Sequence, residues 1–446
     1  MKVIQQQDYA RGIKAPRSVE IVDFASRAPY RPWWDRVDLF FRSGLYAQAP
    51  EWRPHGQSVK VTRRDLLGRE RTGLEWQPCF ISADSRMIKH SEHVKGVVAA
   101  LFGYHQMTTG MLAAHIGYPA PAISAVLKPM YEAGLIERGR FMVDQWQGKL
   151  DYLYRLRADE PLERWLANLD EPDWCAVTLG MEPKEPARFV RHNLLVSELV
   201  LRLHETAAAP LQTIYGERLA SNRRLLPKVP SRRDLSGDAC VVREDGLRIV
   251  IELVQNQRDN DVMEKMTAWG KVLSQGSLNA LGTVVVFLNA CGPTVSDTDA
   301  PHVEKATSLR RCHLRALTPE NLGTNKEGAA RARMAIYVAA WRDWFPGDSC
   351  ISTDFTHLRV CWSPDGTTWT RAALINTPGD NDIIPFAPAD AEAWGHPRQV
   401  VADPATAAGS RRTRGTHHFG VPGWANGPVA STLSPDQFPQ RATPAA

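Results

Sequence analysis

The stretch GDACVVREDGLRIVIELVQNQRDNDVMEK, residues 237–265, decides the fold of the second half of this chain. Its two runs of β-branched residues, DACVVRE and LRIVIELVQ, are separated by the turn sequence EDG at 244–246. Such a pattern predicts two adjacent antiparallel strands. Asp238 opens the first strand, and Glu252 lies near the end of the second. Because these strands run side by side in opposite directions, we expect both carboxylates at one edge of a sheet.

The flanking sequence predicts an α/β domain with a mixed sheet. An amphipathic helix and a strand precede the opening stretch, which continues into a helix. A strand, a helix and a last strand then follow, giving the order αβββαβαβ. The segments are RFVRHNLLVSELVLRLHE (188–205), TIYGERLA (213–220), NDVMEKMTAWGKVL (260–273), GTVVVFLNA (282–290), VEKATSLRR (303–311) and HLRALTP (313–319). Beyond them, RMAIYVAAWRDWF (333–345) predicts a helix, and LRVCWSPDGTTWTRAALI (358–375) predicts a hairpin turning on Asp365 and Gly366.

Upstream, residues 86–157 predict three helices followed by a hairpin. HVKGVVAALFGY has helical apolar spacing, and Thr108 or Thr109 is a suitable N-cap for the next helix. Pro121 suits the first turn of a third helix, which Gly134 ends. LIERGRFMVD and KLDYLYRLR then read as strands joined at residues 147–149. This order is that of a winged helix-turn-helix, and AGLIERGR resembles the junction between recognition helix and wing in bacterial regulators.

The charge distribution favours a polyanionic partner for the front of the chain. Residues 1–157 hold 23 lysines and arginines against 15 acids, a net charge of +8, whereas the remainder carries −3. The third helix begins with Ala and Pro rather than with the Arg, Asn or Gln typical of base readout, so phosphate contacts are the better supported mode. The alternative is a winged helix used for protein contacts or dimerisation. The candidate DNA-binding residues are Ser124, Lys128, Arg138, Arg140, Lys149, Arg155 and Arg157.

Composition excludes several other classes of protein. The seven cysteines are scattered and form no Cys-x-x-Cys pair, which argues against a disulfide framework or a structural zinc. No apolar run is long enough for a membrane span, and the start of the sequence lacks the apolar core of a signal peptide. We therefore expect a cytoplasmic protein with no membrane partner. No Gly-rich phosphate loop, Gly-x-Ser-x-Gly or His-Glu-x-x-His motif occurs.

Domain order and motif together carry a family resemblance. An acid on the first helix, Asp238 opening a strand and IVIEL on the next resemble the PD-(D/E)xK nuclease-like superfamily. With the upstream winged helix, residues 90–320 look like the replication-relaxation family of actinobacterial plasmids and mobile elements. The resemblance implies an α/β (α+β) multidomain protein, a winged helix-turn-helix followed by a nuclease-like αβββαβ domain. The predicted divisions are 1–85 (basic, aromatic-rich, of unclear fold), 86–157 (winged helix), 158–186 (linker), 187–325 (nuclease-like), 326–376 (helix and hairpin) and 377–446 (disordered tail).

The resemblance also implies a metal and catalytic site. By position, Asp238 matches the motif aspartate, Glu252 the central acid and Glu198 the helix acid. These three are the predicted ligands of Mg²⁺ or Mn²⁺ if the domain is catalytic; otherwise no cofactor is expected. Where an active nuclease keeps its lysine, this chain has Val254, which cannot stabilise a growing negative charge. Candidate substitutes are Lys265 on the following helix and Gln255 just beyond the strand.

Three functions follow as hypotheses. The first is a DNA-binding protein of a plasmid or other mobile element, acting in replication, relaxation or mobilisation, with a degenerate nuclease-like domain. The second is an active Mg²⁺- or Mn²⁺-dependent endonuclease. The third is a protein-binding adaptor. Double-stranded DNA is the expected partner, replication or mobilisation proteins are further candidates, and a homodimer is compatible with the same features.

Overall fold

A computed structural model describes residues 21–22, 51–53, 56–64, 70–78, 87, 91–116, 122–140, 152–178, 189–206, 211–217, 220–226, 229–231, 233–243, 245–255, 257–291, 300–345, 351–375 and 383–384. The described part is a mixed α and β structure whose core strands and helices bury continuous apolar runs. Within it, no helix is long and apolar enough to cross a membrane.

Helices and small sheets make up the front of the chain. The strands are β1 (Ile21–Val22), β2 (Glu51–Arg53), β3 (Gly56–Arg64), β4 (Glu70–Pro78), β5 (Gln106–Thr108), β6 (Ile136–Arg140) and β7 (Leu153–Leu156). The helices are α1 (Ser91–Tyr104), α2 (Thr109–Ile116), α3 (Ser124–Glu132), α4 (Glu160–Ala167) and α5 (Glu171–Thr178).

From α1 to β7 the element order is helix, short strand, two helices and two antiparallel strands, in a sheet ordered β2-β6-β7-β5. We call α1 to β7, with β2, the N-terminal module. Three helices and a hairpin were predicted here, and they are confirmed. The Oγ1 of Thr108 accepts from the Met111 amide at 3.1 Å, which confirms the predicted N-cap of α2. Gly134, with φ of 78°, follows the end of α3 as predicted. Pro121, the turn at 147–149 and Lys149 lie outside the described residues.

Residues before 86, whose fold the sequence left open, contribute strands to three places. β3 pairs with β4 as an antiparallel hairpin, and β1 pairs with β13 (Ile351–Ser352). β2 pairs with β6, so the N-terminal module gains an extra edge strand. The ring of Trp52 covers Gly139, where an added Cβ would lie 2.9 Å from the indole. Trp52 thus packs against β6 and against Arg155 of β7.

The second half of the chain is built around a mixed sheet. Its remaining elements, in chain order, are α6 (Val190–Thr206), β8 (Leu211–Gly216), α7 (Asn222–Leu225), β9 (Ala239–Arg243), β10 (Arg248–Val254), α8 (Asp259–Leu273), α9 (Leu278–Leu281), β11 (Thr283–Asn289), α10 (Ala300–Ala316), α11 (Pro319–Leu322), α12 (Lys326–Ala335), β12 (Ile336–Ala340), α13 (Trp341–Trp344), α14 (Thr353–Thr356), β14 (Arg359–Trp362) and β15 (Thr370–Ala373).

Among the described residues this sheet has seven strands in the order β15-β14-β12-β11-β10-β9-β8. β10, β11 and β12 are mutually parallel, and every other pair is antiparallel. All seven positions of β10 and of β11 are buried, as expected for central strands covered on both faces. The predicted hairpin formed by β9 and β10 is therefore confirmed, with Gly246 at φ 91° in its turn.

Two predicted elements are wrong. Residues 313–319, predicted as a strand, begin within the last turn of α10, where His313 and Leu317 are buried. Residues 333–345, predicted as a helix, contain β12, whose Ile-Tyr-Val run is buried beside β11. A short apolar run such as residues 336–338, buried on all sides, has no periodicity that separates strand from helix, which explains the second error.

The predicted boundary between residues 325 and 326 falls inside the continuous sheet, because β12, β14 and β15 extend it. The hairpin turning at Asp365 and Gly366 is confirmed, with Gly366 at φ 77°. Of the predicted tail after residue 376, the structure describes Ile383 and Ile384; Ile384 is buried, and Ile383 bridges to Ala373. The rest of that tail lies outside the described residues.

Candidate functional site

Asp238 lies immediately before β9 and faces Glu252 across the hairpin. The register of β9 and β10 ends with Ala239 opposite Ile251, and Asp238 directly precedes Ala239. The Asp238 amide donates to the Ile251 carbonyl at 2.8 Å, and its Oδ2 accepts from the Leu253 amide at 2.6 Å, so Asp238 contacts both chain neighbours of Glu252. The Asp238 carboxylate is close enough to raise the pKa of Glu252. The sequence prediction that this hairpin brings the two acids side by side is therefore confirmed.

Gly237 allows Asp238 to take this position. A Cβ on residue 237 would lie 2.2 Å from the Cγ1 of Val250, far inside van der Waals contact. A larger residue at 237 would therefore require the Val250 side chain or the local backbone to shift.

Each oxygen of Asp238 accepts a hydrogen bond. Its Oδ1 lies 2.9 Å from the Nε2 of His192 on α6, and its Oδ2 accepts from the Leu253 amide at 2.6 Å. Burial alone would raise the pKa of Asp238. The charges of His192 and Lys265 and the Leu253 amide outweigh burial and hold that pKa below its usual range.

Each oxygen of Glu252 likewise accepts a hydrogen bond, in both cases from a side chain of α8. Lys265 donates to Oε2 at 2.5 Å, and the indole Nε1 of Trp269 donates to Oε1 at 2.7 Å. These donors are four residues apart on one face of the helix. Burial raises the pKa of Glu252 to about 7; Lys265 opposes this rise, and the Asp238 carboxylate adds to it. Lys265, a candidate substitute for the missing lysine, therefore contacts the central acid, whereas its catalytic role stays a prediction.

The surroundings also shift the pKa values of the two basic partners, His192 and Lys265. Burial opposes the charged form of His192, but Asp238 outweighs burial and raises the pKa of that imidazole. Burial likewise opposes the charge of Lys265, while Glu252 and Asp238 raise the pKa of its ammonium. Both shifts favour a charged partner for each carboxylate.

A third acid, Glu217, lies next to this pair and was not predicted. β8 ends with Gly216 paired to Ala239, and Glu217 directly follows it, close enough for the Asp238 charge to act against the lowering of its pKa. Its Oε2 lies 2.9 Å from the Nε2 of His105, which belongs to the N-terminal module. The hydrogen bond to His105 lowers the pKa of Glu217, although burial opposes the change. We call Glu217, Asp238 and Glu252 the acidic row.

Glu198 does not join the acidic row, which corrects the predicted three-carboxylate metal site. It is fully buried, as its helical spacing predicted, but its Oε1 accepts from the Nε of Arg202 at 2.5 Å. Arg202 is also fully buried, with its guanidinium 4.5 Å from the centroid of the Phe345 ring. A buried carboxylate needs a charged partner, and the arginine one helical turn later supplies it. The α6 residue that faces Asp238 is His192, six positions earlier.

Gln255 does not substitute for the missing lysine by contacting the acids. Its backbone amide donates to the Oε1 of Gln257 at 2.6 Å, and its side-chain amide nitrogen is buried without a hydrogen-bond partner among the described residues. Val254 is buried at 4% exposure. Lys265 is therefore the lysine that the described structure places against the acidic pair.

The donor set does not fit a divalent cation in this arrangement. All four oxygens of Asp238 and Glu252 already accept a hydrogen bond, two of them from the side chains of His192 and Lys265. Mg²⁺ demands near-octahedral oxygen ligands at about 2.0–2.1 Å. Within the described residues, no group of three or more His, Cys, Asp or Glu side chains is arranged to hold a metal ion. No step through a bound metal is derived for this site.

The predicted DNA-binding residues differ in their availability. Ser124, Lys128 and Arg140 are exposed, and Lys128 retains 69% of its side-chain surface. Arg138 is partly buried between two rings, 4.9 Å from the centroid of Tyr131 and 4.2 Å from that of Tyr152.

Two arginines on or next to β7 form ion pairs with acids of the same module or of the helix that follows it. Arg155 pairs with Glu137 at 2.6 Å and lies 4.1 Å from the Trp52 ring. Arg157 pairs with Asp159. A DNA phosphate would have to compete with these contacts, whereas the pair between Lys128 and Glu132 is long, at 3.9 Å, and Lys128 stays largely exposed. The exposed group formed by Ser124, Lys128 and Arg140 is therefore the stronger candidate surface.

Comparison of the chain with protein-family models, with curated proteins and with solved structures found no match. The geometry of the site and the sequence resemblance therefore carry the functional argument.

The residues that sequence reasoning missed lacked a local signal. His192 lies on α6 in the unremarkable run VRHN, and Glu217 directly follows a strand. The register of β8 against β9 is what places Glu217 in the row, and it depends on pairing over a separation of more than twenty residues. Trp269 is fully buried, and its indole N–H donates to Glu252.

Proposed function

We propose that this chain is a double-stranded DNA-binding protein of a plasmid or other mobile element, whose nuclease-like domain is retained as a non-cleaving scaffold. The N-terminal module would act as the winged helix-turn-helix that docks on DNA. The attribution to replication, relaxation or mobilisation rests on the sequence resemblance described above. A cytoplasmic location and partner replication or mobilisation proteins belong to the same proposal.

One observation carries the DNA-binding part. Ser124 and Lys128 lie one helical turn apart on the exposed face of α3, whereas Val126, Leu127 and Met130 on its other face are buried. α3 contacts β6, whose terminal Arg140 is also exposed. A helix presented in this way beside an antiparallel hairpin supports insertion into a groove, with basic side chains near the phosphates.

The acidic row supports a scaffold rather than a cutting site. A hydrolytic centre of this type needs carboxylates free to hold a metal and a cation free to stabilise developing charge. Here Lys265 is engaged by Glu252, and Asp238 is engaged by His192. The acids and their partners neutralise one another.

The test is binding of the full chain to a labelled duplex across salt concentrations. Lys128→Ala and Arg140→Ala should each weaken binding on every sequence and reduce the slope of log K against log salt by about 1. Arg164→Ala is the matched control, because Arg164 is an exposed arginine on α4. Absence of binding at low salt, or equal loss in the control, would overturn the proposal.

The same preparations separate the scaffold from an endonuclease. Supercoiled plasmid is incubated with wild type and Mn²⁺, and then with Glu252→Ala. We expect no cleavage by either protein. Cleavage by wild type that Glu252→Ala lacks would replace the scaffold with the endonuclease hypothesis. Failure of both DNA binding and cleavage would favour the protein-binding adaptor.

A further inference from the structure

The hairpin of β9 and β10 brings two buried carboxylates close together. Asp238 accepts from the amide of Leu253, the residue after Glu252, and its charge acts on Glu252, while Glu217 directly follows the last residue of β8 at the sheet edge. Like charges close together on neighbouring strands are destabilising, and burial strengthens their repulsion. Something must compensate for this pair if the hairpin is to form.

The compensation comes from two helices that belong to different parts of the sequence. His192 reaches Asp238 from α6, and Lys265 reaches Glu252 from α8. The side chains of Asp238 and Glu252 retain only 12% and 2% of their exposed surface, so solvent screens these pairs weakly. Each carboxylate thus has its own basic side chain and a separate N–H donor, from Leu253 for Asp238 and from Trp269 for Glu252.

We propose that His192 and Lys265 are built-in counter-ions that hold the Asp238–Glu252 pair together in place of a divalent cation. The wild-type protein then has no ordered divalent site at this pair, and removal of the Lys265 ammonium creates a demand for one. This inference rests on the non-cleaving scaffold of the proposed function and extends it by naming the residues that close the site.

The experiment is a divalent-cation rescue of the full chain. Thermal unfolding of Lys265→Met is measured with and without Mn²⁺ at matched ionic strength. Methionine keeps an unbranched apolar stem while removing the charge that Glu252 requires. We expect the substitution to lower the Tm by several degrees, and Mn²⁺ to restore at least half of that loss. The Tm of wild type should shift by less than about 1 °C, because a ligand raises the Tm only if it binds the folded state, and no Mn²⁺ site is expected there.

Lys271→Met is the matched control, because Lys271 is an exposed lysine on the same helix. It should behave as wild type with and without Mn²⁺. Equal stabilisation of wild type by Mn²⁺ would overturn the proposal, since an ordered site would then already exist. Absence of rescue in Lys265→Met would also overturn it.

A measurement on the wild type covers the case in which Lys265→Met does not fold. The imidazole signals of His192 are followed by NMR during Mn²⁺ addition, and we expect no selective paramagnetic broadening. Selective broadening of His192 would overturn the counter-ion role. DNA binding is tested through Lys128 and Arg140, which lie in the N-terminal module and not on α6 or α8. Failure of the proposed function would therefore appear as lost DNA binding, and failure of the counter-ion role as a changed response to Mn²⁺.

Discussion

His105 Nε2 lies 2.9 Å from Glu217 Oε2, and this contact joins the N-terminal module to the edge of the seven-stranded sheet. His105 holds φ at 65°, a left-handed conformation uncommon for residues other than glycine. The adjoining backbone is closely packed, since a Cβ on Gly216 would lie 3.0 Å from the Gly103 carbonyl oxygen. The module and the acidic row therefore share one interface.

Glu217→Gln should destabilise the protein modestly near pH 6, by about 0.2–1 kcal/mol, because Glu217 is half exposed and solvent screens its pair. The pKa of Glu217 is lowered in the fold, so its contribution is present above its ordinary value and disappears as pH falls through the folded value. Urea unfolding at several pH values measures this effect. The stabilities of Glu217→Gln and wild type should therefore become equal in acid. Glu163→Gln, which changes an exposed acid on α4, is the control and should match wild type at all of these pH values.

The free energy of unfolding should fall as pH rises from about 4.5 to 7, because Glu252 keeps its proton in the folded state and loses it in the unfolded state over this range. The pKa of this carboxyl is about 7 in the fold and near its ordinary 4.5 when unfolded, so the folded state binds the extra proton in this window. Glu252→Gln should flatten that part of the pH profile. Glu264→Gln, on the exposed face of α8, should leave the slope unchanged. An identical slope in Glu252→Gln and wild type would contradict the raised pKa.

Gly237→Ala should lower the free energy of unfolding by about 1–3 kcal/mol, since the new methyl group forces Val250 or the β9 backbone to move. Gly103→Ala is the matched control, because a Cβ at that position of α1 meets nothing within 4 Å. We expect it to leave stability unchanged or to raise it slightly, as alanine suits a helix better than glycine. Equal effects of the two substitutions on the free energy of unfolding in denaturant would contradict the close approach of residue 237 to Val250.

Arg202→Met should destabilise the protein by roughly 3–5 kcal/mol, because it leaves the fully buried Glu198 carboxylate without its ion pair. Adding Glu198→Leu should recover much of this loss, since no uncompensated charge then remains. Unfolding of the two single variants and of the double variant completes a double-mutant cycle. Additive losses would show that Glu198 and Arg202 act independently.

Prediction from the sequence succeeded where local patterns specify local structure. The Thr108 cap, the glycine after α3 and the β9–β10 hairpin follow from turn and capping chemistry, and the structure confirms each one. It failed at β12, where Ile, Tyr and Val are buried on both sides and carry no periodic polar face. The seven-stranded sheet depends on pairing between distant segments, which local pattern does not report.

In the candidate site, too, some residues can be predicted from the sequence and others only from the tertiary structure. The sequence by itself determined that Asp238 and Glu252 lie together, because both belong to one hairpin whose turn is visible in the residues between them. It also indicated Lys265, whose helix follows directly.

Only the tertiary structure decided the partners of that pair. Helix periodicity places Glu198 on a buried face, but it does not choose between the sheet edge and Arg202. The register of β8 adds Glu217, and the packing of α6 brings His192 rather than Glu198 to Asp238. A buried charged side chain pairs with the nearest side chain of opposite charge. The distance between the two depends on the tertiary fold and cannot be read from local sequence.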